Sequence, residues 1–213
     1  MHRALKLARR GLMTTRPNPA VGCVITVGEE VIAEGWHHQA GEAHAEAHAL
    51  RLAGTKAKGA TAYVTLEPCS HIGRTPPCAD ALIESGIARV VVAMRDPNPR
   101  VSGNGIKRLE EAGIRVDVGT LQSAAESLNP GFISRMTRQR PWLTLKMATS
   151  LDGKTALADG RSQWITSAES RSDVQTYRAQ ADAILTGAAT VLADNPKLTV
   201  RVNQWPASRP LPE

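Results

Sequence analysis

His44, Glu46, Cys69 and Cys78 are the residues of this chain whose types and order point to chemistry. One imidazole and two thiolates are donors that hold Zn²⁺ tetrahedrally. Three protein ligands leave the fourth position for water, whose pKa then falls from about 15.7 toward about 7. A carboxyl group two residues from the imidazole can carry protons from that water to a ring nitrogen and to a departing amine. Taken singly, each residue has a simpler reading, because a helical His is commonly structural and a buried Cys is commonly a small hydrophobe. The competing zinc arrangement is a closed structural cage in which His37, His48 or His71 adds a fourth ligand. Such a cage leaves Glu46 without a task.

The elements that must position these groups are legible around them. Residues 44–53 read as a helix with Leu50 on one face, which puts His44 and Glu46 in its first turn. Cys78 follows Pro77, a residue favoured at helix starts, and 78–85 reads as a short helix ending at Gly86. A thiolate at a helix N-terminus is stabilised by the dipole and is suited to a metal. Residues 62–66 form a strand candidate just before the first of these cysteines, so the metal falls where strand ends meet helix starts.

The same residues carry a family resemblance. Zinc deaminases of bases use an H-x-E pair for one ligand and a non-ligand Glu, with two cysteines on a later Pro-Cys element. Eight residues separate Cys69 from Cys78 here, more than in the nucleic-acid and nucleoside editing deaminases. The runs PCSHIGRTPPC, PNPAVGCVI and GEAHAE resemble the riboflavin-biosynthesis pyrimidine deaminases, which are usually fused to a C-terminal reductase. In full these are diaminohydroxyphosphoribosylaminopyrimidine deaminase and 5-amino-6-(5-phosphoribosylamino)uracil reductase. The resemblance implies His44, Cys69 and Cys78 as zinc ligands, Glu46 as proton carrier, and a small phosphoribosylated pyrimidine as substrate. It also sets Asn18 and the 71–75 loop near ribose and phosphate, and Arg74 is a good phosphate fork. The alternative reading is a tRNA or nucleic-acid editing deaminase; a zinc-stabilised binding module without activity is a further one.

Composition bounds these choices. Twenty-six Lys and Arg against 20 Asp and Glu give a net charge of +6, which raises the question of nucleic acid. Only 3% of residues are aromatic, too few for base-stacking platforms, so no nucleic-acid partner is expected. No apolar run reaches the roughly 18 residues of a membrane span, so no membrane partner is expected either. The basic N-terminus lacks the apolar core of a secretory signal and reads as an amphipathic helix with Leu5, Ala8 and Leu12. Cys23, left over in an apolar strand, suits a reducing compartment, so a cytoplasmic location is expected. Family members usually associate, which implies a homo-oligomer.

Residues 1–140 alternate between helix and strand. Strands are expected at 21–27, 31–36, 62–66, 90–94 and 115–118, and helices at 2–13, 44–53, 78–85, 104–112 and 129–138. This pattern predicts an α/β fold with a central mixed sheet between helices, the three-layer arrangement of cytidine-deaminase-like domains. Arg140-Pro141 is a plausible boundary. Beyond Pro141 there is no histidine or cysteine. There 142–148 and 183–186 read as strands, 150–154 as a turn and 168–179 as a helix.

SLDGKTAL, SQWITS and GAATVLADNPKLTVR resemble the start of the family's dihydrofolate-reductase-like domain, which uses NADPH. The resemblance implies that Ala148, Trp164, Thr190 and Asp194 contact NADP, and that Ser162, Arg178, Leu198 and Arg201 contact the ribose-phosphate substrate. By themselves these residues are ordinary: a lone Arg is commonly solvated, and Asp194-Asn195-Pro196 is a turn signal. Residues 141–213 are short for a dinucleotide-binding domain and hold no G-x-G-x-x-G run. Residues 205–213 read as a linker. The expectation is a deaminase domain at 1–140 and an incomplete N-terminal portion of a reductase domain at 141–213, in a fragment or an interrupted gene product.

Overall fold

The computed structural model describes residues 1–71, 76–99 and 101–207. Contacts divide the chain into two compact units, Met1–Trp142 and Leu143–Glu213. The first unit is built on one five-stranded sheet of β1 (Gly22–Val27), β2 (Glu30–Trp36), β3 (Thr61–Val64), β4 (Arg89–Val92) and β5 (Arg115–Val118), in the order β2-β1-β3-β4-β5. β1 pairs antiparallel with both β2 and β3, while β3, β4 and β5 run parallel, so the sheet is mixed. A parallel strand pair needs a crossover, and two short helices supply these: α3 (Cys78–Glu84) between β3 and β4, and α4 (Asn104–Glu111) between β4 and β5.

Side-chain alternation along β1 sorts the layers. Cys23 and Ile25 point to one face with Ala62, Val64, Val90 and Val92, where they meet Ala49 and Leu50 of α2 (Ala45–Ala53), Leu82 of α3 and Leu109 of α4. Val24 points to the other face and packs on Ala4 and Leu7 of α1 (His2–Ala8). A second cluster on Leu5 and Ala8 takes in Met94, Ala125 of α5 (Gln122–Glu126), and Phe132 and Ile133 of α6 (Pro130–Arg138). This is the helix–sheet–helix layering of the cytidine-deaminase-like fold.

Strand positions match the sequence expectation to within one or two residues at each end. Two differences concern helices. α1 stops at Ala8 and tightens into a 3-10 turn at Arg9–Gly11, where the expectation continued to residue 13. α5 was not expected, because five residues offer too short a window for periodicity.

In the second unit, α7 (Ala168–Ala179) forms over the expected residues, with Ser167 Oγ accepting the Ser170 N–H at 3.2 Å as an N-cap. The expected turn also forms, with the Gly153 N–H donating to Ser150 O at 3.0 Å. α8 (Ala188–Asp194) was not expected. The strands expected at 142–148 and 183–186 are a correction: among the described residues neither is a strand, and every ladder lies in the first unit. A strand exists only by pairing, and here Leu143 and Leu145 are each 84% exposed. Of the expected linker, 208–213 lie outside the described residues.

Candidate active site

The site is assembled where β3 ends and α2 and α3 begin. His44 is the N-cap residue of α2, in extended conformation, with its C=O already accepting the His48 N–H. Gly35 of β2 makes this possible, since a Cβ there would lie 2.3 Å from Ala45 O at the first turn of α2. Cys69 lies five residues past the end of β3, and Cys78 opens α3. Cys69 caps that helix from outside: its Sγ accepts the Cys78 N–H at 3.3 Å and its C=O accepts the Ala79 N–H at 3.1 Å.

His44 Nδ1 lies 3.2 Å from Cys78 Sγ and 3.6 Å from Cys69 Sγ, and the three donor atoms all fall within 4.8 Å of one another. Tetrahedral zinc with bonds of about 2.3 Å to sulfur and about 2.0 Å to nitrogen requires N–S edges of about 3.6 Å. The donor set and its spacing fit the ion. Among the described residues no fourth His, Cys, Asp or Glu joins the group. The three candidates for a closed cage are placed elsewhere. His37 has both ring nitrogens engaged, His48 stacks on His38 with centroids 4.4 Å apart, and His71 is exposed.

The electrostatics suit a metal and a proton carrier. Cys69 is held well below the ordinary thiol range, first by the hydrogen bond from Cys78 and then by that from His44. Cys78 moves the opposite way, because it is the donor in that pair and because it is buried. Glu46, in the first turn of α2 and 3% exposed, has its carboxyl pushed up to about 7 by burial first and by the Cys69 charge second. A carboxyl group near neutrality both takes and gives protons at physiological pH.

His37 has a larger part here than its sequence context suggested. Its Nδ1–H donates to Ala43 O at 3.1 Å, which fixes the tautomer and leaves Nε2 to accept from Asn18 Nδ2 at 3.2 Å. Burial lowers its pKa, keeping the ring neutral. Its ring also meets His44 edge-on at 5.4 Å. Asn18, singled out only by resemblance, is thereby oriented by the ring that packs edge-on against His44. Arg74, the expected phosphate fork, lies outside the described residues together with 72, 73 and 75.

The residues expected at the nicotinamide cofactor and its substrate fall into separate groups in the second unit. Trp164 and Ser162 line a cavity of about 470 Å³ with Lys154 and Arg161, and Arg171 lies over the Trp164 ring at 4.4 Å. Thr190 and Asp194 share α8, and Ala148 is half-buried in irregular chain. Arg178 donates to Thr199 O at 3.0 Å, and its pKa is lowered by burial and by the Arg201 charge, so Arg178, Leu198 and Arg201 belong to one neighbourhood. Gln175, which no sequence signal marked, ties that neighbourhood to α7 by accepting the Arg201 N–H at 2.8 Å and donating to Gln204 Oε1 at 3.2 Å.

Comparison with known proteins agrees with this two-part reading. The cytidine and deoxycytidylate deaminase zinc-binding region matches residues 1–94, and the RibD C-terminal domain matches residues 141–212. Riboflavin biosynthesis protein RibD of Escherichia coli K12 is 64% identical over 94% of this chain and 55% of its own length. That of Haemophilus influenzae is 54% identical over 97% and 55%. Among solved structures, Acinetobacter baumannii RibD superposes with a TM-score of 0.90 at 53% identity, covering 94% of this chain and 56% of its own. The diaminohydroxyphosphoribosylaminopyrimidine deaminase/5-amino-6-(5-phosphoribosylamino)uracil reductase of Thermotoga maritima gives 0.89 at 48%, covering 95% and 58%. The chain thus spans about half the length of these relatives, and over that half it belongs to the RibD family of riboflavin-biosynthesis proteins.

Proposed function

We propose that residues 1–140 form a zinc-dependent pyrimidine deaminase domain. It hydrolyses 2,5-diamino-6-(5-phosphoribosylamino)pyrimidin-4(3H)-one to 5-amino-6-(5-phosphoribosylamino)uracil, consuming water and releasing ammonia. The observation that carries this reading is the convergence of His44 Nδ1, Cys69 Sγ and Cys78 Sγ beside the buried carboxyl of Glu46. A zinc ion held by those three atoms would supply a water acidic enough to act as a nucleophile at neutral pH.

The chain's own groups do the rest. The Glu46 carboxylate takes one proton from that water and delivers it to the ring nitrogen beside the attacked carbon. As the carbon–nitrogen bond breaks, Glu46 passes the second proton to the amine, which departs as ammonia. Burial that raises Glu46 to about 7 matches it to both transfers. Neutral His37 holds Asn18 as a hydrogen-bonding group toward the pyrimidine or its ribosyl substituent.

Residues 141–213 are assigned as the N-terminal portion of the reductase domain. Ala148, Trp164, Thr190 and Asp194 are assigned to NADPH, and Ser162, Arg178, Leu198 and Arg201 to the ribose phosphate. A cytoplasmic homo-oligomer is the form in which the protein is expected to act.

The test is ammonia release from the phosphoribosylated diaminopyrimidinone, followed by a coupled assay. Release from that compound, with none from cytidine or from transfer RNA, supports the reading. The reverse preference would overturn it.

A further inference from the structure

The Glu67 side chain is buried, 3% exposed, and sits two residues before Cys69. Among the described residues its carboxylate accepts four backbone N–H groups from a segment 29 to 39 residues away. Oε2 accepts the N–H groups of Asp96 at 3.1 Å and Gly103 at 3.0 Å, while Oε1 accepts those of Gly105 at 3.0 Å and Ile106 at 3.3 Å. Gly105 and Ile106 are the second and third residues of α4, whose own N-cap residue, Gly103, offers no side-chain cap. Glu67 therefore caps α4 from another part of the chain, where a carboxylate also meets the positive end of the helix dipole.

The approach is close. A Cβ at Gly105 would lie 1.9 Å from Pro68 O, so α4 presses directly on the peptide that leads into Cys69. After β4, Asp96 Oδ1 accepts the Asn98 N–H at 2.8 Å.

We propose that Glu67 is a positioning residue for the metal centre: one carboxylate fixes the Cys69 segment, the amides of Asp96 and Gly103 and the start of α4 to a single anchor. This rests on the zinc reading given under Proposed function. Glu67 touches neither metal nor substrate; it acts through Cys69, in the way that outer-shell groups orient the ligands they support. Coupling between the anchor and the ion is reciprocal, so zinc in turn holds those four amides in place.

The experiment measures zinc affinity of the 213-residue chain by competition with a chromogenic chelator. Glu67→Gln keeps the volume of the side chain but turns an NH₂ group toward two of the four donors. Its zinc affinity is expected to fall by about 10- to 100-fold. Leu7→Ala, a cavity in the separate cluster of Ala4, Leu7 and Val24, should lower the melting temperature and leave zinc affinity unchanged. A zinc affinity for Glu67→Gln within about threefold of the parent chain would overturn the proposal.

Hydrogen exchange on the parent chain gives the same test without a variant, and decides the matter if Glu67→Gln does not fold. Chelating the zinc should speed exchange at the amides of Asp96, Gly103, Gly105 and Ile106. Unchanged protection at all four would overturn the proposal. A parent chain that takes up no zinc at all would instead overturn the function on which it rests.

Discussion

The two units of this chain differ in what stands behind their candidate site residues. In the first, His44, Glu46, Cys69 and Cys78 sit on or beside elements whose inner faces are closed by Ile25, Val64, Leu82, Val90 and Leu109. In the second, Gln175 and Thr176 are the only buried side chains among the described residues, while Leu185 is 97% exposed. A site is held only as firmly as the shell that supports it. The first unit brings three ligand atoms within a few ångströms. The second leaves its expected cofactor and substrate residues spread over a cavity, a short helix and one hydrogen-bonded corner.

Removing a ligand should have the largest effect and fall wholly on the first unit. Cys78→Ser is expected to lose both zinc and ammonia release, read by metal analysis and the coupled assay, because the remaining two donors no longer define a site. Next in size are the cores. Leu82→Ala, at a fully buried position, should cost about 2–5 kcal/mol in the main unfolding transition. In the second unit Gln175→Ala removes the acceptor of the Arg201 N–H and should cost about 1–3 kcal/mol, seen as faster hydrogen exchange around residues 201–204. The smallest effect belongs to Leu185→Ala, expected within about 0.5 kcal/mol in thermal unfolding because the side chain is already in water. If Leu185→Ala destabilised the chain as much as Leu82→Ala, the contrast between the units would fail.

What could be read from sequence follows the same line. β5 was placed to the residue, and β1 to β4 to within one or two, because apolar and β-branched runs there are bounded by Gly and charged residues. The zinc ligands stood out because His, Cys and Glu in that order have few structural uses, and their spacing falls at element ends. Glu67 and His37 gave no such signal. Glu67 reads as one more acidic residue until its carboxylate meets amides 29 to 39 residues on, and His37 until its ring closes on Ala43 and Asn18. The segment 142–148 had the composition of a strand, but composition cannot supply the neighbour that a strand needs.

The central claim is that the four residues at the end of β3 and the start of α2 and α3 form one hydrolytic zinc site with Glu46 as its proton carrier. The most direct measurement compares zinc content and ammonia release in the parent chain and in Glu46→Gln. One zinc per chain in both, with ammonia release lost by about 10²-fold or more in the variant, is the predicted result. Ammonia release by Glu46→Gln at the rate of the parent chain would contradict it.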